Sequence, residues 1–249
     1  EVRILKMING EIDYKAQSLA LPMMPVLLDN AKKGDFTVES KPKIAMPVFG
    51  INVTHADLDK RAVFGDLRFR QAMSVAINRD EINDVAYFGL GVPKQFVPFS
   101  PSPGFVEDKW QQYYAQFDLD LAKKLLDEIG VVDKNGDGER DLPNGKKLVI
   151  NIQFATQGIP TEVVELVAQH WNNVGIKTLA KEITPDEYRS AQSSNQLDIM
   201  MWDTGTPLAI VLGFAEAFLP PYGGYFGVRN GMLWAEYVES NGEKGVKPP

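Results

Sequence analysis

The chain has no cysteine and only two histidines among its 249 residues. The absence of cysteine excludes disulfide bonds, thiol catalysis and the zinc sites that cysteine builds. The spacing of His55 and His170 fits neither a metal site nor a catalytic couple, so we predict no metal and no cofactor. No apolar run approaches the roughly 20 residues that a helix needs to cross a bilayer, so we expect no direct membrane insertion.

A surplus of positive charge is also missing. The formal net charge is −7, and basic pairs such as Lys32-Lys33 and Lys146-Lys147 are scattered among acidic residues. Binding to nucleic acid requires basic residues concentrated on one face, so nucleic acid is excluded as a partner. The remaining composition, 44% hydrophobic and 24% charged, is typical of a globular protein.

Motifs of catalysis are absent as well. The chain contains no Gly-x-Ser-x-Gly elbow and no Walker lysine, and Gly89-Leu90-Gly91 lacks the third glycine of a dinucleotide loop. Acidic pairs such as Asp80-Glu81 and Asp127-Glu128 are typical of solvated helix faces, not of glycosidase carboxylates. We therefore predict that the chain is not an enzyme.

Residues 64–93, FGDLRFRQAMSVAINRDEINDVAYFGLGVP, carry the clearest helical pattern. Asn78 and Glu81 form an Asn-x-x-Glu arrangement close to a capping box, which begins a second helix, and Gly89 can adopt the left-handed conformation that ends it. The segment predicts a pair of short packed helices. Apolar residues recur at the spacing of one helix face in the first of them: Phe69, Ala72, Met73, Ala76 and Ile77.

Residues 1–45 predict a helix at the start, a second helix at about 26–33 and a strand near 36–38. Asp118 is placed to cap a later helix that Gly130 ends. From Lys147 onward, strands and helices alternate, with strands predicted at 148–154, 176–183 and 197–202. Such a run predicts a parallel-leaning sheet flanked by helices, and hence an α/β fold.

The segment Trp202-Asp203-Thr204-Gly205 is the best candidate for binding a ligand. It follows a strand, and ligands of α/β sheets bind beyond the carboxyl ends of the strands. Trp202 offers an apolar face for stacking on a sugar ring or a peptide plane, while Asp203 and Thr204 offer hydrogen bonds. Phe96 and Phe99, in a stretch rich in proline and aromatic residues, are the candidate residues for lining a cleft. A buried Trp202 at a strand end, and loop packing by the two phenylalanines, are the structural alternatives.

Residues 133–141, DKNGDGERD, place oxygen-bearing side chains at alternate positions around a glycine. This spacing is that of the first part of a calcium loop. Asn144 stands where such a loop needs a bidentate glutamate, and a strand follows in place of a helix. The alternative is a polar turn that joins a helix to a strand.

The helix pair and several further segments resemble, in order, a single family of bacterial receptors: family 5 of the solute-binding proteins, which deliver peptides, nickel and oligosaccharides to ABC importers. Besides the helix pair, the resemblance rests on Glu11-Ile12-Asp13, the 49–52 stretch FGIN, the 117–148 segment, the Asn173–Ile176 turn and the 197–202 strand. The closing WAEYVESNGEKGVKPP is also similar to a subgroup of this family.

The resemblance implies a lobe of the type II periplasmic-binding-protein fold, with a mixed sheet flanked by helices. It assigns residues 1–45 to a remnant of the first lobe and 46–249 to the C-terminal lobe of a longer receptor. The implied function is the periplasmic substrate-binding component of an ABC transporter, or an extracellular, membrane-tethered one in a Gram-positive source. The implied partners are a small solute and the permease at the inner membrane.

The resemblance also bears on the solute. Peptide-binding relatives usually carry an aspartate three residues after the strand-end tryptophan, where this chain has Gly205, and Asp203 follows the tryptophan directly. The departure weakens the case for peptides, and both oligopeptides and oligosaccharides are retained. A calcium-dependent interaction module is the alternative function, followed by a carbohydrate-active enzyme.

Overall fold

The computed structural model describes residues 2–15, 19, 21–39, 46–95, 107–155, 159–204 and 230–249, without the side chains of residues 22, 46, 108 and 202–204. Two 3₁₀ turns, Leu21–Met23 and Asp108–Gln111, lie among the helices and strands. The described helices are α1 (Val2–Ile8), α2 (Met24–Gly34), α3 (Leu58–Gly65), α4 (Leu67–Val75), α5 (Arg79–Tyr87), α6 (Leu119–Glu128), α7 (Thr161–Asn172), α8 (Pro185–Ser193) and α9 (Met232–Glu239). The described strands are β1 (Met46–Ile51), β2 (Val149–Phe154), β3 (Lys177–Glu182) and β4 (Ile199–Thr204).

The four strands form one parallel pair and one antiparallel pair. Strands β2 and β3 are parallel and are connected through α7, which is the crossover that a parallel pair requires. Strands β1 and β4 are antiparallel, with Ile51 opposite Ile199 and Val48 opposite Trp202. The predicted mixed α/β architecture is confirmed, and strand β1 is the strand that the sequence did not predict.

One large apolar cluster joins the helices α3, α4, α6 and α7 to strands β1, β2 and β4. Its largest fully buried side chain is Trp171, only 1% exposed, whose ring lies edge-on to Phe49 and whose Nε1–H donates to the Met73 carbonyl at 3.0 Å. Burial on this scale removes each side chain from water at a gain of about 25 cal/mol per Å² of apolar surface. The cluster therefore fixes how the helices sit on the sheet.

Strand β4 is covered on both faces. Ile199 and Met201 belong to the large cluster, whereas Met200 belongs to a smaller one with Tyr188 of α8 and Met232 of α9. Successive side chains of a strand point to opposite faces, so helices pack against both sides of β4. This arrangement is typical of α/β folds.

The predicted helices around 64–93 are present, with one helix more than expected. The apolar stripe from Phe69 to Ile77 is buried, and the Asn78 side chain accepts from the Glu81 amide at 3.2 Å. Helix α3 precedes this pair. Phe88 takes the left-handed conformation at the C-cap of α5, with Gly89 also at positive φ. The strand predicted near 36–38 was wrong, since these residues lie in neither a helix nor a strand.

Candidate functional site

The candidate ligand segment is the last part of strand β4. The backbone of Trp202, Asp203 and Thr204 lies opposite Val48, Pro47 and Met46 of strand β1. The side chains of these three residues, and all of Phe96 and Phe99, lie outside the described part of the structure. Their contacts with a solute therefore stay predictions, and the described residues show how the segment is held.

A buried carboxylate precedes β4 directly. Asp198 is 3% exposed, and Lys60 Nζ of α3 donates to its two oxygens at 2.8 and 2.9 Å. Nε2 of His55 lies 3.0 Å from Oδ1, and the Asn151 amide of β2 donates to Oδ2 at 2.9 Å. A buried charge is tolerated only when it is paired and hydrogen-bonded, and both conditions hold here.

These contacts also set the protonation of Asp198. Burial by itself raises the pKa of the carboxyl, but the hydrogen bond from His55 and the charge of Lys60 outweigh it, so the pKa lies below its ordinary value of 3.8. The group is thus a carboxylate at neutral pH.

The histidine next to Asp198 has both ring nitrogens in use. The Asp57 amide donates to His55 Nδ1 at 2.9 Å, so the proton is on Nε2, which donates to Asp198. An imidazole held in this way has no free nitrogen for transferring a proton to a substrate. The His55–Asp198 pair therefore functions as a structural link between the β1–α3 loop and β4.

A second polar group lies beside the first, at the same end of the β1–β4 ladder. The Asn52 amide donates to the Asp198 carbonyl at 3.0 Å, which extends the ladder by one residue beyond Ile51 and Ile199. The Asn52 side chain donates to Asn195 Oδ1 at 2.8 Å and to the Leu197 carbonyl at 2.9 Å. The Thr54 hydroxyl in turn accepts from the Leu233 amide at 3.2 Å, at the start of α9. Hydrogen bonds of the buried Asn52 and Thr54 side chains thus join β1, β4 and α9.

Tyr188 of α8 contacts the middle of β4. Its hydroxyl donates to the Met201 carbonyl at 2.8 Å and accepts from the Met201 amide at 2.9 Å. Met201 is the residue immediately before Trp202. The strand is therefore held by side chains at its beginning and again where the candidate segment starts.

An open polar depression of about 400 Å³ lies above Asp198. Its floor consists of Asp198 together with Lys60 and His55, which both bond Asp198, and its rim is formed by side chains from the surface. The carboxylate oxygens already accept five hydrogen bonds between them. The floor has no acceptor left for a ligand.

The second histidine lies inside the predicted capping arrangement of α5. The Asn78 amide donates to His170 Nδ1 at 3.3 Å, and His170 Nε2 lies 2.9 Å from Glu81 Oε2. Glu81 thus reaches the Asn78 amide through an imidazole and not directly. His170 itself is buried.

The 133–141 loop uses its carboxylates internally. Asp133 accepts from the amides of Gly136 at 2.7 Å and Gly138 at 2.8 Å, and these bonds hold the pKa of its carboxyl below the ordinary value. Asp137 accepts from the Glu139 amide and from Lys147 Nζ. In the described ranges, no group of three or more His, Asp or Glu side chains is arranged to hold a metal ion.

Several residues of this site were not found from the sequence. Asp198 stands alone in the apolar run from Leu197 to Met201, and a single acid in a buried strand is a signal that a partner exists. Lys60 and Tyr188 carry no such signal. Lys60 lies on a helix that is distant from Asp198 in the sequence, and Tyr188 lies on a short polar helix.

The fold and these motifs define a solute-binding protein, and the comparison with known families agrees. Residues 1–225 match the model of the family described as bacterial extracellular solute-binding proteins, family 5 Middle. The chain belongs to this family. The resemblance inferred from the sequence motifs is thereby confirmed.

Relatives and solved structures are similar to the chain over most of its length. Heme-binding protein A of Haemophilus influenzae is 26% identical over 228 residues, covering 88% of this chain and 37% of that protein. An oligopeptide-binding protein OppA superposes with a TM-score of 0.73 at 28% identity, covering 100% of this chain and 42% of that one. A periplasmic oligopeptide-binding protein from Thermotoga maritima, solved with mannohexaose bound, has a TM-score of 0.65 at 25% identity, covering 92% and 44%.

The chain thus spans less than half the length of each of these proteins. The family and the similar structures are binding proteins, which act outside the cytoplasm, and the type II periplasmic-binding-protein fold is confirmed. In the part of the chain that the structure describes, no helix has the length and apolar character to cross a bilayer.

Proposed function

We propose that the chain is part of the substrate-binding component of an ABC importer, which captures oligopeptides or oligosaccharides. The observation that carries this proposal is the family match over residues 1–225, on a fold that superposes over its whole length on an oligopeptide-binding protein. The component binds its solute and performs no chemistry on it. The occupied nitrogens of His55 and His170 support this last point.

Both solute classes have support among the similar structures. One is an oligopeptide-binding protein, and another binds mannohexaose although it is also described as oligopeptide-binding. Gly205 stands where peptide binders usually carry an aspartate for the ammonium group of the peptide. A neutral oligosaccharide does not need that charge, so we favour the sugar when the two classes are compared.

The proposed ligand contacts are Trp202, Asp203, Thr204, Phe96 and Phe99. A strand end held by buried side chains is a suitable platform, because a site on a rigid element loses little conformational entropy when the solute binds. The described contacts of Asp198 and Met201 give β4 this rigidity.

The proposal includes a location and a partner. The receptor acts in the periplasm, or outside the cell on a membrane tether, and delivers the solute to a membrane permease. In the whole receptor, residues 46–249 form the C-terminal lobe and residues 1–45 belong to the first lobe. The solute then lies between lobes that close on it, so that contacts to both stabilise the closed form.

The test is a thermal-shift panel of oligosaccharides and oligopeptides on the protein as its natural gene encodes it. We expect at least one class to raise Tm, and Trp202→Ala to abolish that rise. Trp110→Ala is the matched control, because Trp110 is 44% exposed and is not one of the proposed ligand contacts. A rise with peptides alone would contradict our preference for sugars, and no rise with any solute would contradict both solute classes.

A further inference from the structure

The hydroxyl of Tyr188 makes two hydrogen bonds to one peptide residue of strand β4. It donates to the Met201 carbonyl at 2.8 Å and accepts from the Met201 amide at 2.9 Å. A hydroxyl can do both from a single atom, which an ammonium, a guanidinium or a carboxylate cannot. The Tyr188 side chain thus serves Met201 as the backbone of a neighbouring strand would.

The ladder geometry explains why Met201 needs such a partner. In an antiparallel pair, alternate residues direct their amide and carbonyl groups at the partner strand. Because the Asn52 amide donates to the Asp198 carbonyl, Asp198, Met200, Trp202 and Thr204 are the residues that face β1 in this way. The amide and carbonyl of Met201 point toward the opposite edge of β4, where both form hydrogen bonds with the Tyr188 hydroxyl.

The tyrosine is itself held in place. Its ring is buried in the smaller apolar cluster with Leu197, Met200 and Met232. Helix α8, which carries it, begins with a complete capping box in which Thr184 and Glu187 bond each other's backbone amides at 3.3 and 2.8 Å. The hydroxyl is therefore presented from a rigid helix and not from a mobile surface side chain.

We infer that Tyr188 is a positioning residue for the candidate ligand-binding segment Trp202–Thr204, a role that rests on the function proposed above. Met201 is the last residue before this segment. The Tyr188 hydroxyl bonds the backbone amide and carbonyl of Met201 on one edge of β4, while β1 bonds the neighbouring residues of β4 on the other edge. Tyr188 thereby fixes the path of the strand into Trp202. The segment is then preorganised before the solute arrives, which lowers the entropic cost of binding.

The test is Tyr188→Phe in the protein as its natural gene encodes it, with amide exchange followed residue by residue. The readouts are the amides of Trp202 and Thr204, neither of which bonds Tyr188, against those of α7. We expect the two β4 amides to exchange at least about tenfold faster in the variant while α7 is unchanged. Tyr237→Phe, which removes a hydroxyl from a half-buried residue of α9, is the chemical control.

Leu126→Ala serves as the control for global stability, because it creates a cavity in α6 and we expect it to raise exchange in β4 and α7 together. Unchanged exchange at Trp202 and Thr204 in Tyr188→Phe, or an equal rise in α7, overturns the positioning role. Neither result depends on which solute the protein binds.

The same variants are then titrated with mannohexaose and with penta-alanine. For whichever probe binds the wild type, we expect Kd to weaken at least about tenfold in Tyr188→Phe and to stay near the wild-type value in Leu126→Ala. Equal Kd values in wild type and Tyr188→Phe overturn the link between Tyr188 and the solute. Absence of wild-type binding to either probe counts against the proposed function, while the exchange result still decides whether Tyr188 positions the strand.

Discussion

The large apolar cluster and the polar base of the β1–β4 ladder hold adjoining parts of the molecule by different means. Around Trp171, helices α4, α6 and α7 pack on the sheet through side chains that are almost entirely apolar. At the ladder base, Asp198 and Asn52 are equally buried but are held by directional hydrogen bonds and an ion pair. Apolar packing sets which elements touch, whereas directional bonds set the register and direction of the strand that carries the candidate site.

The two regions also differ in how they contribute to the free energy of unfolding. Apolar packing is non-directional and roughly proportional to area, so its loss scales with the volume removed. A buried ion pair contributes little net stability against an apolar replacement, but it is costly to break from one side, since the remaining charge is left without a partner. Substitutions in the two regions should therefore differ in what they do to geometry as well as in how much stability they remove.

The largest effect is expected from breaking the apolar region at Trp171. Trp171→Ala removes a fully buried ring together with its hydrogen bond to the Met73 carbonyl, and we expect a loss of about 3–5 kcal/mol in the free energy of unfolding. Urea denaturation followed by far-UV circular dichroism measures this loss. Trp171→Phe is the matched variant. It keeps most of the side-chain volume, and we expect it to lose about 1–2 kcal/mol in the free energy of unfolding. Equal losses in the two variants would show that the hydrogen bond, and not the packing, dominates.

A somewhat smaller effect is expected at the polar base. Lys60→Met keeps the length and apolar stem of the side chain but leaves the Asp198 carboxylate without its ammonium partner. We expect a loss of about 2–3 kcal/mol by the same denaturation experiment, somewhat less than for a fully buried pair because Lys60 reaches the depression. The double variant Lys60→Met with Asp198→Asn should recover part of that loss, since both charges are then absent. A double variant less stable than Lys60→Met alone would contradict the unpaired-charge argument.

How much of this could be predicted from sequence depends on how far apart the partners lie in the chain. The stripe of α4 and the cap of α6 at Asp118 were predicted correctly, because the residues of a helix face, or a cap and its helix, lie within a few residues of each other. Strand β1 was not predicted. It contains Pro47 and Gly50, which disfavour a strand locally, and its partner β4 lies about 150 residues later.

The candidate site shows the same division. Trp202, Asp203 and Thr204 could be selected because they follow an apolar run that a strand pattern predicts, and the structure places their backbone in β4. The groups that hold this strand could not be selected. Lys60 is 138 residues from Asp198 in the sequence, and a lysine on a helix face is ordinarily exposed to solvent. Tyr188 likewise lies on a short polar helix, and its bonds to Met201 depend on how α8 packs.

Lowering the pH also distinguishes the polar base from the apolar region, and we expect a smaller loss of stability than from Lys60→Met. Because the pKa of Asp198 is lower in the folded protein than its ordinary value of 3.8, the unfolded chain takes up the proton first as the pH falls. The stability that this carboxylate contributes is complete well above pH 3.8 and is lost as the pH falls through the folded-state pKa. The urea midpoint should therefore fall further between pH 5 and pH 3 in wild type than in Asp198→Asn, which has no carboxyl to titrate at this position.

A control separates Asp198 from other acids. Asp186 is 93% exposed and pairs only with the neighbouring Arg189 in the described contacts, so Asp186→Asn should keep the wild-type dependence on pH. If Asp198→Asn and wild type lost stability in parallel between pH 5 and pH 3, the ion pair at the ladder base would not contribute to acid sensitivity.

The smallest effect is expected from calcium at the 133–141 loop, a polar region that differs from the ladder base in being exposed. A calcium site needs six to eight oxygens free to turn inward. Here both oxygens of Asp133 accept backbone amides, and Asp137 accepts the Glu139 amide and the Lys147 ammonium. An ion would have to displace these donors, and Asn144 supplies only one oxygen at the position where a calcium loop has a bidentate carboxylate.

We therefore expect 1 mM calcium to raise Tm by less than about 1 °C, since a site with a Kd on the order of 10 mM contributes under about 0.1 kcal/mol at that concentration. Differential scanning calorimetry with calcium and then with a chelator measures the shift, and magnesium at equal concentration controls for ionic strength. A calcium-specific rise that the chelator reverses and Asp133→Asn abolishes would show that the ion reorganises the loop. In that case the hydrogen bonds of Asp133 would describe only the unbound form, and the calcium-dependent alternative would regain its support.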